Sequence, residues 1–245
     1  MNVACLFDLA KGAGPLTVTV VAEEKLPKAL KSEIDGILRN TATLVSSQGL
    51  SPGRDDAVLN ILSLDFSADG RTAVAALEAA AVPAAAWRVL VGLLSAFDTM
   101  AATIDDVRIE QPGYAGRTYS EADLFAQSYP GTDPKPGFAL THEQSASDDA
   151  SVEVTLVKDV SKELRDRIEA AMNAWLQTAE GGFFKDGDEP VANAHDCPKV
   201  KRSGNRLLVA RMDTWEGDEG AFRAVINQMA HFQRLHACIE SVSVE

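Results

Sequence analysis

The sequence predicts an α+β protein in which one strand–helix–strand–strand–helix–strand unit is used twice, on three observations. Residues 87–110 (WRVLVGLLSAFDTMAATIDDVRIE) lie over residues 222–245 (FRAVINQMAHFQRLHACIESVSVE) at an offset of 135. Trp87 meets Phe222, Leu94 meets Met229, Phe97 meets Phe232, Met100 meets Leu235 and Ile104 meets Ile239, and the tails VRIE and VSVE coincide. Second, Lys28, Leu30, Ile34 and Leu38 fall on Lys162, Leu164, Ile168 and Met172 at an offset of 134. Third, period-2 and period-3.6 apolar patterns succeed one another in the same order in both halves, as strands and helices require.

The first unit opens with an apolar run, 3–9, and the turn-like KGAG at 11–14. LTVTVVA (16–22) alternates and is β-branched, the pattern of a half-buried strand. A helix follows over about 27–43, with Leu30, Ile34, Ile37, Leu38 and Leu44 on one face and Pro27 in its first turn, where a missing N–H costs little. Gly49, Pro52 and Gly53 break the chain. VLNILSLDFS (58–67), ADGR (68–71) and TAVAALEAA (72–80) predict a hairpin. Pro83 opens a helix over about 84–102, and DDVRIE (105–110) closes the unit as a strand.

The second unit repeats this order. FALTHE (138–143) answers the first run, SVEVTLV (151–157) answers LTVTVVA, and a helix spans 161–178. KVKRSGNRLLVARM (199–212) predicts a hairpin around Ser203-Gly204-Asn205, with Arg206 and Val209 answering Arg71 and Val74. A helix over 219–237 and a strand over 241–245 finish it. The order is the split βαβ, or ferredoxin-like, arrangement with one extra strand in front of each copy: antiparallel sheets, helices on one face. The expected domains are 1–112 and 138–245. Between them, 113–137 is rich in proline and holds Tyr114, Tyr119 and Tyr129, so an ordered crossover is expected rather than a flexible linker. Ser120-x-x-Asp123 matches a capping box for a short helix over 121–127.

Composition narrows the function. The net charge is −13, which disfavours nucleic acid and anionic membranes and favours a basic protein partner. Cys5, Cys197 and Cys238 form no paired motif, so free thiols in a reducing, cytoplasmic setting are expected. The start lacks a basic, apolar leader pattern, and Pro83 and Arg88 interrupt the longest apolar stretch, 79–97.

Catalytic signatures are missing: no G-x-S-x-G, H-E-x-x-H or phosphate loop occurs, and Gly12-Ala-Gly14 lacks the third glycine of a dinucleotide turn. No cofactor or metal is expected. His195-Asp196-Cys197 has no second ligand pair at finger-like spacing. Asp186-Gly187-Asp188-Glu189 resembles a calcium loop, but its twelfth position is Cys197 instead of glutamate. Lys199, Lys201, Arg202, Arg206 and Arg211 make a basic hairpin, read as a solvated edge that discourages strand pairing.

The halves differ in their connections. The loops flanking the helices in the first half, 44–56 and 79–84, are bland. In the second half, 179–196 and 212–220 bring Phe183, Phe184 and Trp215 to the same sheet end as Asp186, Asp188, Glu189, Asp213, Glu216, Asp218 and Glu219. Rings that desolvate a partner beside carboxylates that pair with its Arg or Lys make a recognition surface. The expectation is therefore a non-catalytic interaction module, an inhibitor or immunity-type protein for a basic partner such as a toxin. The alternative is a small-molecule binder or enzyme with a cleft between two pseudo-dimeric repeats, lined by Tyr114, Arg117, Tyr119 and His195. A monomer with an internal pseudo-dimer, or a weak homodimer, is expected.

Overall fold

The structure, a computed structural model, describes residues 1–98, 104–132, 135–143, 149–181, 199–213 and 219–245. The first half supplies β1 (Asn2–Leu6), β2 (Gly14–Ala22), α1 (Lys28–Ser46), β3 (Val58–Phe66), β4 (Thr72–Ala80), α2 (Ala84–Asp98) and β5 (Ile104–Glu110). After the short α3 (Glu121–Phe125) come β6 (Ala139–His142), β7 (Asp149–Leu156), α4 (Lys162–Glu180), β8 (Lys201–Ser203), β9 (Leu207–Asp213), α5 (Glu219–His236) and β10 (Ile239–Val244). The protein is thus α+β, with two five-stranded sheets.

The strand orders are β1-β5-β2-β4-β3 and β6-β10-β7-β9-β8. Each sheet is mixed, which corrects the expectation of antiparallel sheets: β1 runs parallel to β5, and β6 parallel to β10. The reason lies in the turn after β1. It sends β2 back the other way, and β5 enters between them, antiparallel to β2 and so parallel to β1. Gly12 makes this turn possible. Its φ is +52°, and a Cβ there would sit 1.9 Å from the Val82 carbonyl oxygen, so only glycine fits.

Matching side chains do matching work in the two hairpins. Arg71 Nε donates to the Ala22 carbonyl at 3.2 Å, and Arg206 Nε donates to the Leu156 carbonyl at 2.9 Å. The backbone N–H of Ala22 and of Leu156 in turn donate to the carbonyls of Arg71 and Arg206.

On β2, Leu16, Val18, Val20 and Ala22 are buried, while Thr17 and Thr19 between them are half-exposed. On α1, Leu30, Ile34, Ile37, Leu38, Leu44 and Val45 form the buried stripe. The helix runs to Ser46, past the expected end, and stops where Gln48 adopts φ +62°. On α2, every described residue from Ala85 to Leu94 other than Gly92 carries a buried side chain, Arg88 included. A helix apolar all round is one covered all round. Here α1, β5 and α3 all contact α2. Helix also meets helix between the halves, α1 against α4, and the buried residues of both halves join in one cluster. The layers therefore run sheet, helices, helices, sheet. Among the described residues, no helix is long and apolar enough to cross a membrane.

Candidate functional site

Three groups of residues bear on function: the loop edge of the second half, the crossover and the seam where the turn after α1 meets α5.

At the loop edge, Phe183, Phe184, Asp186, Asp188, Glu189, His195, Trp215, Glu216 and Asp218 lie outside the described residues. The structure does show the elements that launch their loops. Asp213 ends β9, in register with Asp149, and Glu219 begins α5. Trp175, fully buried near the end of α4, donates from Nε1 to the Ala221 carbonyl at 2.6 Å. That bond holds the last turns of α4 against the first turn of α5, so the segments beginning after Gly181 and ending at Glu219 spring from adjoining helix ends.

The crossover holds Tyr114, Arg117 and Tyr119 along the outer edge of β1. Tyr119 and Cys5 exchange two backbone hydrogen bonds of 2.9 Å, an antiparallel bridge that closes this edge. Arg117 forms an ion pair with Asp123, and its guanidinium lies 5.1 Å from the Tyr119 ring centroid. Asp123 also closes the capping box of α3, accepting from the Ser120 backbone and hydroxyl. Those bonds, then Arg117, hold its carboxyl below the usual range. Desolvation, with Tyr119 and Asp8 alongside, raises the Tyr114 phenol. Beneath the bridge, burial pushes the Cys5 thiol up to about 12, so at neutral pH it is no nucleophile.

Farther along, the crossover grips α2. Arg88 is only 4% exposed; its Nη1 donates to the Gln127 carbonyl at 2.6 Å and its guanidinium lies 4.3 Å from the Tyr129 ring centroid. Gly131 and Gly137 then accept from Asn227 and Gln233 of α5.

The seam is a polar cluster that no sequence motif marked. Gln48 donates to Asp55 at 2.6 Å and accepts from Gly53 N–H and from Arg234 of α5. Arg234 also approaches Asp55 at 3.6 Å. Gln228 donates to the Ser47 hydroxyl at 2.7 Å and to the Ala171 carbonyl at 3.2 Å. Ser47 spends its own hydrogen on Thr43 O, and so is not an activated hydroxyl. Gly49 allows the close approach: a Cβ there would stand 3.1–3.2 Å from Gln228, Ala224 and Leu44. Helix periodicity shows which positions are buried, but not which distant polar groups will meet.

His231 sits in this seam with Nδ1 buried, lacking a hydrogen-bond partner among the described residues and 4.0 Å from the Asp55 carboxylate. Burial, then Arg234, lower its pKa below 6.5; Asp55 opposes this, and His236 and Arg167 add to it. The folded protein therefore keeps His231 neutral where the unfolded chain takes up a proton. The stability this contributes is complete above about pH 6.5 and declines as pH falls below it. Urea midpoints at pH 7.5 and 5.5 should show a smaller acid loss in His231→Gln than in the parent. Equal losses would remove His231 from the account.

Among the described residues, no group of three or more His, Cys, Asp or Glu side chains is placed to hold a metal. Two residues of the basic hairpin are engaged within the fold: Arg202 pairs with Asp166 and Glu169, and Arg206 with Glu240.

No protein-family model matches the chain, and no curated protein matches it. Among solved structures, the crystal structure of pitrilysin aligns with a TM-score of 0.23 and 10% identity, over 93% of this chain and 37% of that one. At that level the likeness carries no inference about fold or activity.

Proposed function

We propose that the chain is a tandem of two ferredoxin-like domains, 1–112 and 138–245, joined by the crossover 113–137, and that it works as a non-catalytic protein-interaction module. Its partner is a basic protein, and an inhibitor or immunity-type role towards a toxin fits that chemistry. The identical strand orders and the matching Arg71 and Arg206 anchors support the tandem reading.

The observation that carries the functional reading is how the charge is spent. Arg39, Arg54, Arg108, Arg117, Arg202 and Arg206 are each paired with a carboxylate of the same chain. The net charge of −13 leaves acid in excess of base, a field that steers and binds a cationic surface. The acidic-aromatic loop edge of the second half belongs to this reading. Buried thiols at Cys5 and Cys238 support a reducing setting such as the cytoplasm.

Affinity capture from the native host, with mass spectrometry of what elutes, tests this. A basic protein should be retained stoichiometrically and released as salt rises from about 0.1 M to about 1 M, which shortens the screening length from roughly 10 Å to roughly 3 Å. Retention of a neutral or acidic protein, or salt-insensitive retention, would overturn it. A co-purifying small molecule seen by native mass spectrometry would instead favour a ligand-binding role.

A further inference from the structure

The two halves place equivalent strands at equivalent edges and cover them unequally. Aligning both sheets on VRIE and VSVE through their registers puts Val3 opposite Leu140 and Cys5 opposite His142. In the first half, the crossover and α3 lie over these positions: Val3 is 8% exposed and Cys5 is 0%. In the second half, Leu140 is 40% exposed and all four residues of β6 are exposed. The His142 ring meets the edge of Phe222, at 5.9 Å between centroids.

The backbone shows the same asymmetry. Glu143 N–H donates inward to Val244 O, so the N–H groups of Leu140 and His142 face away from β10. Cys5 spends its outward N–H and C=O on Tyr119. No described residue does this for His142.

We propose that the outer edge of β6 is a strand-addition site, occupied by an extended segment of the basic partner inferred above; the proposal rests on that reading. The segment pairs antiparallel with β6, as Tyr119 does with Cys5, and lays an apolar side chain over Leu140. Charge decides the occupant. A second copy would bring another −13 to the same edge, whereas a cationic segment meets the exposed Glu143 at the end of β6 and the exposed Glu245 at the end of the neighbouring β10.

The probe is a peptide of residues 115–129, the segment that fills the equivalent edge, carrying Glu121→Lys and Gln127→Lys so that its net charge is positive. Its binding to the full chain is read by fluorescence anisotropy. His142→Pro removes one outward N–H without a ladder bond to β10, and Leu140→Asp removes the apolar contact. Each should weaken binding about tenfold or more. Leu62→Asp, on the opposite edge strand of the first sheet, should leave binding unchanged.

No binding to the parent chain, or equal binding to all three variants, would overturn the proposal. So would a parent dimer that His142→Pro converts to monomer, since a second copy would then be the occupant. A basic protein captured in a salt-dependent manner equally by the parent and His142→Pro would overturn the β6 site and leave the interaction reading standing. Failure to capture any salt-labile basic protein would overturn the interaction reading itself.

Discussion

Trp175→Ala should cost about 3–5 kcal/mol of folding stability, the range for deleting a fully buried large aromatic. The side chain is 0% exposed and sits where α4, α5 and the second sheet converge. The substitution opens a cavity and removes the Nε1 bond to Ala221 O. Trp175→Phe separates these two effects. It keeps most of the ring volume and loses the bond, so it should cost nearer 1–2 kcal/mol, about the size of one buried hydrogen bond plus imperfect repacking. Urea unfolding midpoints measure both. The same bond holds together the helix ends from which 182–198 and 214–218 depart. Trp175→Phe should therefore weaken partner capture more than an equally destabilising change in the first half, such as Ile34→Val. A Trp175→Ala cost below about 1 kcal/mol would mean that this contact is not a tight one.

Position 175 also shows what the repeat could reveal. At the offset of 134 its counterpart is Thr41, which is buried and donates its hydroxyl to Ile37 O of its own helix. Periodicity named neither position, but it was enough to put Leu30, Ile34, Ile37, Leu38 and Leu44 on the face that is buried, because burial leaves its mark residue by residue. It also located both hairpins, the capping box at Ser120 and Asp123, and nearly every strand to within two residues. What it could not supply was pairing direction and long-range company. The parallel entry of β1 beside β5 depends on which strand inserts between two others, and no local pattern records that. The company of Gln48, Asp55, Gln228, His231 and Arg234 depends on the turn after α1 meeting α5, with partners up to 186 residues apart. Of the acidic-aromatic edge, only Asp213 and Glu219 fall in described elements, so its geometry stands on the sequence and on the helix ends that launch it.

Arg88 is the second position where a large effect is expected. An arginine 4% exposed, on a helix otherwise apolar all round, was legible only as an interruption of the apolar stretch. The fold shows what it holds. Its guanidinium lies over the Tyr129 and Phe125 rings, 4.3 Å and 5.9 Å from their centroids, and Nη1 donates to Gln127 O. A desolvated cation–π contact contributes about 2 kcal/mol and a charge-assisted bond about 1.5–3 kcal/mol, less whatever burial of the charge costs. Arg88→Met keeps the apolar stem and discards both, for an expected loss of about 2–4 kcal/mol. Arg88→Lys should recover little, since an ammonium cannot stack flat on Tyr129 and reach Gln127 O together. Global stability is the lesser readout. If the guanidinium clamps the crossover, Arg88→Met should also speed hydrogen exchange at the Tyr119 and Cys5 amides, because the bridge closing β1 lies on the same segment. Unchanged protection at those two amides would show that the β1 edge is held by the bridge and α3 alone, and that Arg88 stabilises α2 without governing which sheet edge is open.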